Sequence, residues 1–382
     1  MNGVVSTSAD RRDAALVALG ARLSAEIFGA PASEPLDRNA LLAAYAALRG
    51  SGYLGSTVPI AAGGAGLSHV GFGSLVEGVG AYAPFLSNHS VQRTLHGAGA
   101  AAVRDRWLGP LLSARAIGAV AITEPHGGSR VADIRTELRR TAGGLVLRGA
   151  KTWVVHAMTA HVAVVLARGP DGDPTRVVVD LDAGPVRRTR IPTAGLRFLT
   201  FGSLDFDDCP IPEDAVLAGD GVAGTKVAFG VARALVGVQA VALAQRAIDH
   251  TVAHLATRTA RGREVSGADI VRHRIGAMTG SVAAARLLCH QALAAIDDGL
   301  PGCDAISAGA KAHATDVARD VTAEAVELCA GAGVTADSVP ARCRDDAAML
   351  TTADGTALVN HTIWGAHVVR ATLGPSAGGS IR

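Results

Sequence analysis

The chain has 382 residues, 49% of them hydrophobic, enough to bury two or three cores, so several domains or one large multilayer subunit are expected. Its 36 basic and 34 acidic residues nearly cancel and no block of five like charges occurs, which argues against nucleic acid or an anionic membrane as a partner. Cys209, Cys289, Cys303, Cys329 and Cys343 are odd in number and form no C-x-x-C pair, so neither a zinc site nor a disulfide framework is expected. The basic residues are Arg except for Lys151, Lys226 and Lys311, an excess that matches GC-rich codon usage.

In chain order, the first segment with structure carries helical spacing. Asp10, Arg11, Arg12 and Asp13 precede an Ala/Leu pattern and leave no apolar core for a signal peptide. Leu41, Leu42, Tyr45 and Leu48 recur at helical intervals, as do Val91, Leu95, Val103, Trp107 and Leu108, with a Gly/Pro break at residues 58–64 between them. A helical domain over residues 1–115 follows. From 116 to 220 the pattern changes to short β-type runs at 119–123, 134–140, 145–148, 162–167 and 176–181. Gly143-Gly144 makes a hairpin turn, and Asp207-Asp208 reads as a solvated strand-end turn. This predicts a small, mainly antiparallel sheet domain. Long Ala-rich helices then return over 221–382, at about 225–259 and 267–298, with a capping box at Ser266 to Asp269. A four-helix bundle satisfies them, followed by an unstructured tail at 375–382. The apolar run from Val227 to Ala244 contains Arg233 and Gln239, so it reads as a core helix and not as a membrane span. A cytoplasmic soluble protein is expected.

The chemistry-bearing motif is Thr123-Glu124-Pro125-His126-Gly127-Gly128-Ser129, followed by Gly149-Ala150-Lys151-Thr152-Trp153. Alone, the heptad also fits a Gly-rich surface turn after an edge strand. Together the two segments resemble the flavin-holding segments of the acyl-CoA dehydrogenase superfamily. The resemblance spans most of the chain, through Val58-Pro59, Trp107-Leu108, the segment 206–212, Leu243-Ala244-Gln245-Arg246-Ala247, the segment 258–262 and Gly331-Ala332-Gly333. It implies an α+β fold of a helical domain, a β-domain and a four-helix bundle, with FAD as cofactor.

What the resemblance implies for individual residues can be stated position by position. Backbone groups of Ile122 and Thr123, with the Thr123 hydroxyl, would meet the pyrimidine edge of the flavin. Gly127 and Gly128 would let the backbone approach, Ser129 would donate near the ring or phosphates, and Trp153 would stack beside the ring. Arg258 resembles the Arg that reaches the FAD pyrophosphate of a neighbouring subunit, and Gly331 lets the backbone approach that same FAD. A homodimer or a homotetramer is thereby implied. Thr356 belongs to the same cofactor set.

Several positions depart from the family pattern. Val155 replaces the residue whose hydroxyl faces flavin N5. Glu327 replaces a Gln near the FAD phosphates, while Arg261 replaces a Phe and could compensate that charge. Arg130 follows Ser129 where an Asp is usual, and Asp345 stands where an Arg is usual. The catalytic base resembles Asp354 in Ala353-Asp354-Gly355-Thr356, where most members carry Glu. Its reach is shorter by about 1.5 Å, one C–C bond, and misplacement of about 1 Å can cost on the order of 10²-fold. The alternative base position on the first bundle helix holds Ala232 and Arg233, so Arg233 and Gly355 are read as substrate-facing. Asp354 also reads as the N-cap of the helix through Leu358 and Ile363. The lone residues His89, His126 and His156 suggest local hydrogen bonding.

Three functions remain open from these residues. The first is FAD-dependent α,β-dehydrogenation of an acyl thioester carried by CoA or an acyl carrier protein, in bacterial specialised metabolism, with an electron-transfer flavoprotein or oxygen as acceptor. The second is a flavin oxidase or monooxygenase resembling nitroalkane oxidase, and the third an inactive, flavin-free scaffold.

Overall fold

The computed structural model describes residues 12–27, 34–80, 86–128, 133–260 and 262–373. Ser129, Arg130, Arg261 and the tail after residue 373 lie outside the described residues.

Helices α1 (Ala14–Ile27), α2 (Arg38–Ala47), α3 (His69–Val79), α4 (Leu86–Ala98) and α5 (Ala101–Leu112) form the first layer. Asp37 and Ser68 cap α2 and α3, their side chains accepting from Ala40 N and Gly71 N. Helix α3 is buried almost throughout because it packs on α1 and on the bundle beyond. Glu77 ties the layers together: it pairs with Arg12 at 2.9 Å, Arg286 at 2.8 Å and His290 at 3.0 Å.

The sheet contains β1 (Gly118–Ala121), β2 (Glu137–Thr141), β3 (Gly144–Val155), β4 (Val162–Arg168), β5 (Pro174–Asp180), β6 (Val186–Arg190) and β7 (Phe201–Ile211). The order is β1-β4-β2-β3-β7-β6, with β5 also on β4. Pairing is antiparallel except where β4 meets β1 and, at one residue, β2. Strand β4 is buried from Val162 to Ala167, so it reads as an unbroken apolar run instead of an alternation. Gly149 has a left-handed φ of 139°, and a Cβ there would come within 2.7 Å of Thr136 Cα, so β2 and β3 require glycine at this crossing.

Two irregularities separate β3 from a plain strand. The register against β7 shifts between Leu147 and Gly149, where β7 holds the extra residue, and again between Lys151 and Val154, where β3 does. The first bulge contains Asp207 and Asp208. These residues lie inside β7, and not in a strand-end turn as the sequence suggests. Asp208 pairs there with Arg139 at 2.7 Å and Arg148 at 3.2 Å. The second bulge contains Trp153 and matters for the site.

Helices α6 (Gly221–Ala256), α7 (Asp269–Asp297), α8 (Cys303–Cys329), α9 (Val339–Thr352) and α10 (Ala357–Leu373) build the last layer, with α8 packed against the other four. A two-stranded hairpin, β8 (Thr259–Ala260) and β9 (Arg263–Glu264), joins α6 to α7. Asp220 caps α6, accepting from Val222 N and Ala223 N. The capping box read at Ser266 is not made. Ser266 lies in a 3-10 turn, Ala268 is the N-cap of α7, and no side chain caps that end. Helix α6 is long and apolar enough to cross a membrane, with mean hydropathy 1.9 over its most apolar 18 residues. Within the fold, 78% of that window is buried, as in a core helix.

Candidate active site

At the end of β1, an ion pair with no access to solvent organises the first half of the site. Lys151 is 0% exposed; its Nζ donates to Glu124 Oε1 at 2.7 Å and to the Ile122 carbonyl at 2.9 Å. Glu124 also accepts from Arg135 N at 2.8 Å and Thr136 N at 2.9 Å. Burial pushes the Glu124 carboxyl up, but the hydrogen bonds from Lys151 and Thr136 outweigh it and hold it at about 2. Reciprocal backbone bonds of 3.0 Å between Glu124 and Gly127 close the turn, which packs Gly128 against the Thr123 side chain. The motif is therefore a rigid ledge, held by two residues, Glu124 and Lys151, to which sequence reasoning assigned no role. Both lie inside the two motif segments, 123–129 and 149–153, and that was the available signal.

The ledge presents few groups outward. The Ile122 carbonyl is held by Lys151 and the Thr123 carbonyl by Thr152 N at 2.8 Å. Among the described residues, the Thr123 amide and hydroxyl have no partner. Beside them, the β3 bulge turns Trp153 outward with a left-handed φ of 56° and an exposure of 55%, while its neighbour Val154 is buried. A strained, exposed indole next to two free donors matches what a flat heteroaromatic ring with acceptor edges requires, so FAD fits here. Val155 follows on β3, partly buried and paired with Phe201, with no hydroxyl to offer. His126 and His89 make local contacts, to the Asp133 carbonyl and Thr57 Oγ1 respectively.

A second group lies toward the C-terminal ends of α6 and α8, which Cys329 and Thr251 join at 3.7 Å. Arg258 is exposed where α6 gives way to the β8–β9 hairpin, its carbonyl accepting from Val265 N. Glu327 is exposed on α8 and pairs with Arg274 of α7 at 2.8 Å, so its charge has a compensating partner that the sequence did not suggest. Gly331 is exposed, and a Cβ there would meet nothing within 4 Å. Among the described residues nothing crowds this position, so its face is open to the outside.

The turn between α9 and α10 carries Asp354. Asp354 and Gly355 both take left-handed φ, 48° and 94°, so the turn reverses sharply and its carbonyls find no helical partners. Side chains supply them: Arg233 Nε donates to the Asp354 carbonyl at 3.1 Å, Asn360 Nδ2 to the Gly355 carbonyl at 2.8 Å, and Lys311 Nζ to Thr351 and Gly355, both at 2.8 Å. The Arg233 guanidinium also stands over the Phe229 ring at 5.2 Å. Thr356 Oγ1 accepts from Val359 N at 3.3 Å and caps α10. The capping role read for Asp354 thus belongs to Thr356, because Asp354 sits two residues too early. Burial raises the Asp354 carboxyl above the usual carboxylate range, and Lys311 and Arg233 pull it back. The structure therefore gathers Asp354, Gly355 and Thr356 in one turn, with Arg233 of α6 bonded to it.

The layered α–β–α order and a partly buried carboxylate on a turn held by two cations describe a large α+β protein, and comparison identifies its family. The acyl-CoA dehydrogenase middle-domain profile matches residues 119–209, and the C-terminal-domain profile matches residues 219–369. A probable acyl-CoA dehydrogenase, FadE25 of Mycobacterium tuberculosis, is 31% identical over 270 residues, 68% of this chain and 69% of that protein. Butyryl-CoA dehydrogenase from Megasphaera elsdenii superposes with a TM-score of 0.86 at 21% identity, covering 97% of this chain and 100% of that one. A glutaryl-CoA dehydrogenase from Mycobacterium smegmatis in complex with FADH2 gives 0.84 at 21% identity, covering 97% and 96%. The chain belongs to the acyl-CoA dehydrogenase family. It is accordingly a flavin-dependent oxidoreductase acting on CH–CH bonds, with FAD as its cofactor.

Proposed function

We propose that the protein oxidises the α,β-bond of an acyl thioester, carried by CoA or an acyl carrier protein, with Asp354 as the base. Bound FAD supplies the hydride acceptor. Asp354 takes the α-proton, and its carboxyl suits that task because burial raises its basicity while the charges of Lys311 and Arg233 favour its ionised form. Thr123, Gly128 and Trp153, with Ile122 and Val155 beside them and Ser129, would hold the ring. Arg258, Gly331 and Thr356, with Arg261 and Glu327, would face the phosphates, Arg258 across a homodimer or homotetramer interface. The Arg274 partner of Glu327 lessens the repulsion those phosphates would meet. Joints at 115/116 and 220/221 divide the chain into three domains in this reading.

The carrying observation is the convergence of Arg233, Lys311 and Asn360 on the turn of a single carboxylate. The test is Asp354→Asn, which keeps the shape and removes the proton acceptor. Thioester-driven bleaching of the flavin should fall on the order of 10²–10⁴-fold with FAD still bound. Undiminished bleaching would dismiss Asp354 as the base.

A second reading keeps the flavin and makes the protein an oxidase acting on a small acidic carbon; the hydroxyl-free Val155 beside the ring ledge favours it. Rapid oxygen consumption after substrate reduction would select it over transfer to an electron-transfer flavoprotein.

A further inference from the structure

Lys311 is 0% exposed on α8, and no acidic side chain hydrogen-bonds to it among the described residues. Its Nζ lies 2.8 Å from two carbonyls, Thr351 in the last turn of α9 and Gly355 on the far side of Asp354. The first is one of the orphan carbonyls at a helix C-terminus, where a cation also meets the negative end of the helix dipole. A neutral amide carries two N–H donors and could serve the same two carbonyls without the desolvation that a buried ammonium costs. Hydrogen bonding alone therefore leaves the positive charge unexplained. Asp354 supplies the explanation: among the groups opposing the effect of burial on its carboxyl, Lys311 acts most strongly, ahead of Arg233.

We propose that Lys311 is a positioning residue for Asp354: its ammonium clamps the carbonyls on both sides of the carboxylate, fixing the left-handed turn and supplying the charge that keeps the side chain a base. The inference rests on the reading of Asp354 as the proton acceptor. The arrangement is reciprocal. Burial lowers the Lys311 ammonium to about 8, Asp354 and Asp316 raise it, and Arg233 lowers it. From the packed elements, the titratable groups around it are Arg233 of α6, Cys289 of α7, Asp316 of α8 with its partner His361 of α10, and Asp354 itself.

Two measurements test this. The chain has three lysines, so a Nζ-labelled sample gives three titrating resonances. The Lys311 resonance should move to lower pH in Asp354→Asn, by on the order of one pH unit, since the mutation removes the opposing anion. An unchanged Lys311 titration overturns the proposal, and this readout needs neither substrate nor a Lys311 variant that folds. In Lys311→Met and Lys311→Gln, the acidic limb of single-turnover flavin reduction should shift upward by about one pH unit, because the carboxylate loses the cation that most opposes its burial. The plateau rate should fall on the order of 10-fold or more in Lys311→Met, with substrate affinity changed far less. A merely structural lysine would lower thermal stability and flavin content and leave the limb in place, which would also overturn the proposal. Asp354→Asn separates the two failures: if it reduces flavin at full rate, the base assignment falls. If it is inactive while the Lys311 variants keep the wild-type limb, only the role of Lys311 falls.

Discussion

Trp153 shows how a single residue can be placed by its backbone. A left-handed φ at a bulky non-glycine residue costs on the order of 1–2 kcal/mol, and an indole left 55% exposed recovers little of that by burial. The position makes sense as a surface awaiting a ring. Trp153→Ala should therefore strip flavin from the protein while changing the stability of the flavin-free form by about 1 kcal/mol or less, well short of the roughly 3–5 kcal/mol of a buried Trp truncation. Flavin occupancy on purification and urea melts of the stripped protein check both halves, and a large loss of apo stability would return Trp153 to the core. The indole's position was legible in the sequence through Gly149-Ala150-Lys151-Thr152-Trp153. Its outward direction was not, because it depends on one extra residue in β3 relative to β7, a pairing between segments about 50 residues apart.

At the scale of elements, the junction of β1 with β3 depends on the Glu124–Lys151 pair. Burying both charges contributes little net stability against an apolar pair, yet removing one partner strands the other away from water. Lys151→Met should cost about 3–5 kcal/mol, and Lys151→Met with Glu124→Gln should recover part of it. Chemical denaturation of the two variants measures the difference; a double variant that loses more than Lys151→Met alone would contradict the stranded charge. The same junction explains which elements could be read in advance. The apolar run of β4 and the hairpin at Gly143-Gly144 carry their signals locally. The capping box at Ser266 failed because the chain enters α7 through a 3-10 turn, which moves the N-cap to Ala268. The cap at Thr356, two residues after Asp354, depends on a reversal that needs left-handed φ at both Asp354 and Gly355.

At the scale of the whole molecule, ionised carboxylates join the layers. Burial raises Glu77, but hydrogen bonds from His290 and Arg12 and the charge of Arg286 bring it to about 2, the same value as Glu124. A depressed carboxylate stabilises the fold above its unfolded value, near 4.5, and loses that contribution as pH falls toward 2. Each is worth on the order of 3 kcal/mol. Asp346 runs the other way: burial raises it to about 6, so its contribution is complete below about 3.8 and lost as pH rises through 6. Denaturation midpoints should drop steeply between pH 4.5 and 2. Asp346→Asn should stabilise the protein at pH 7 and change little near pH 3.5; a flat acid profile would contradict the first expectation and a destabilised Asn variant at pH 7 the second. By itself the sequence determined the α–β–α order and the family, because periodicity and motif spacing are local properties of the chain. Tertiary structure alone decided that Lys311, Arg233 and Asn360, 121 residues before to 6 after Asp354, converge on one turn. It also decided that Glu124 and Lys151 form a buried pair and that Arg274 meets Glu327. Such charges find partners only when helices and strands pack, and the loss of solvent that makes each pairing necessary has no trace in the local sequence.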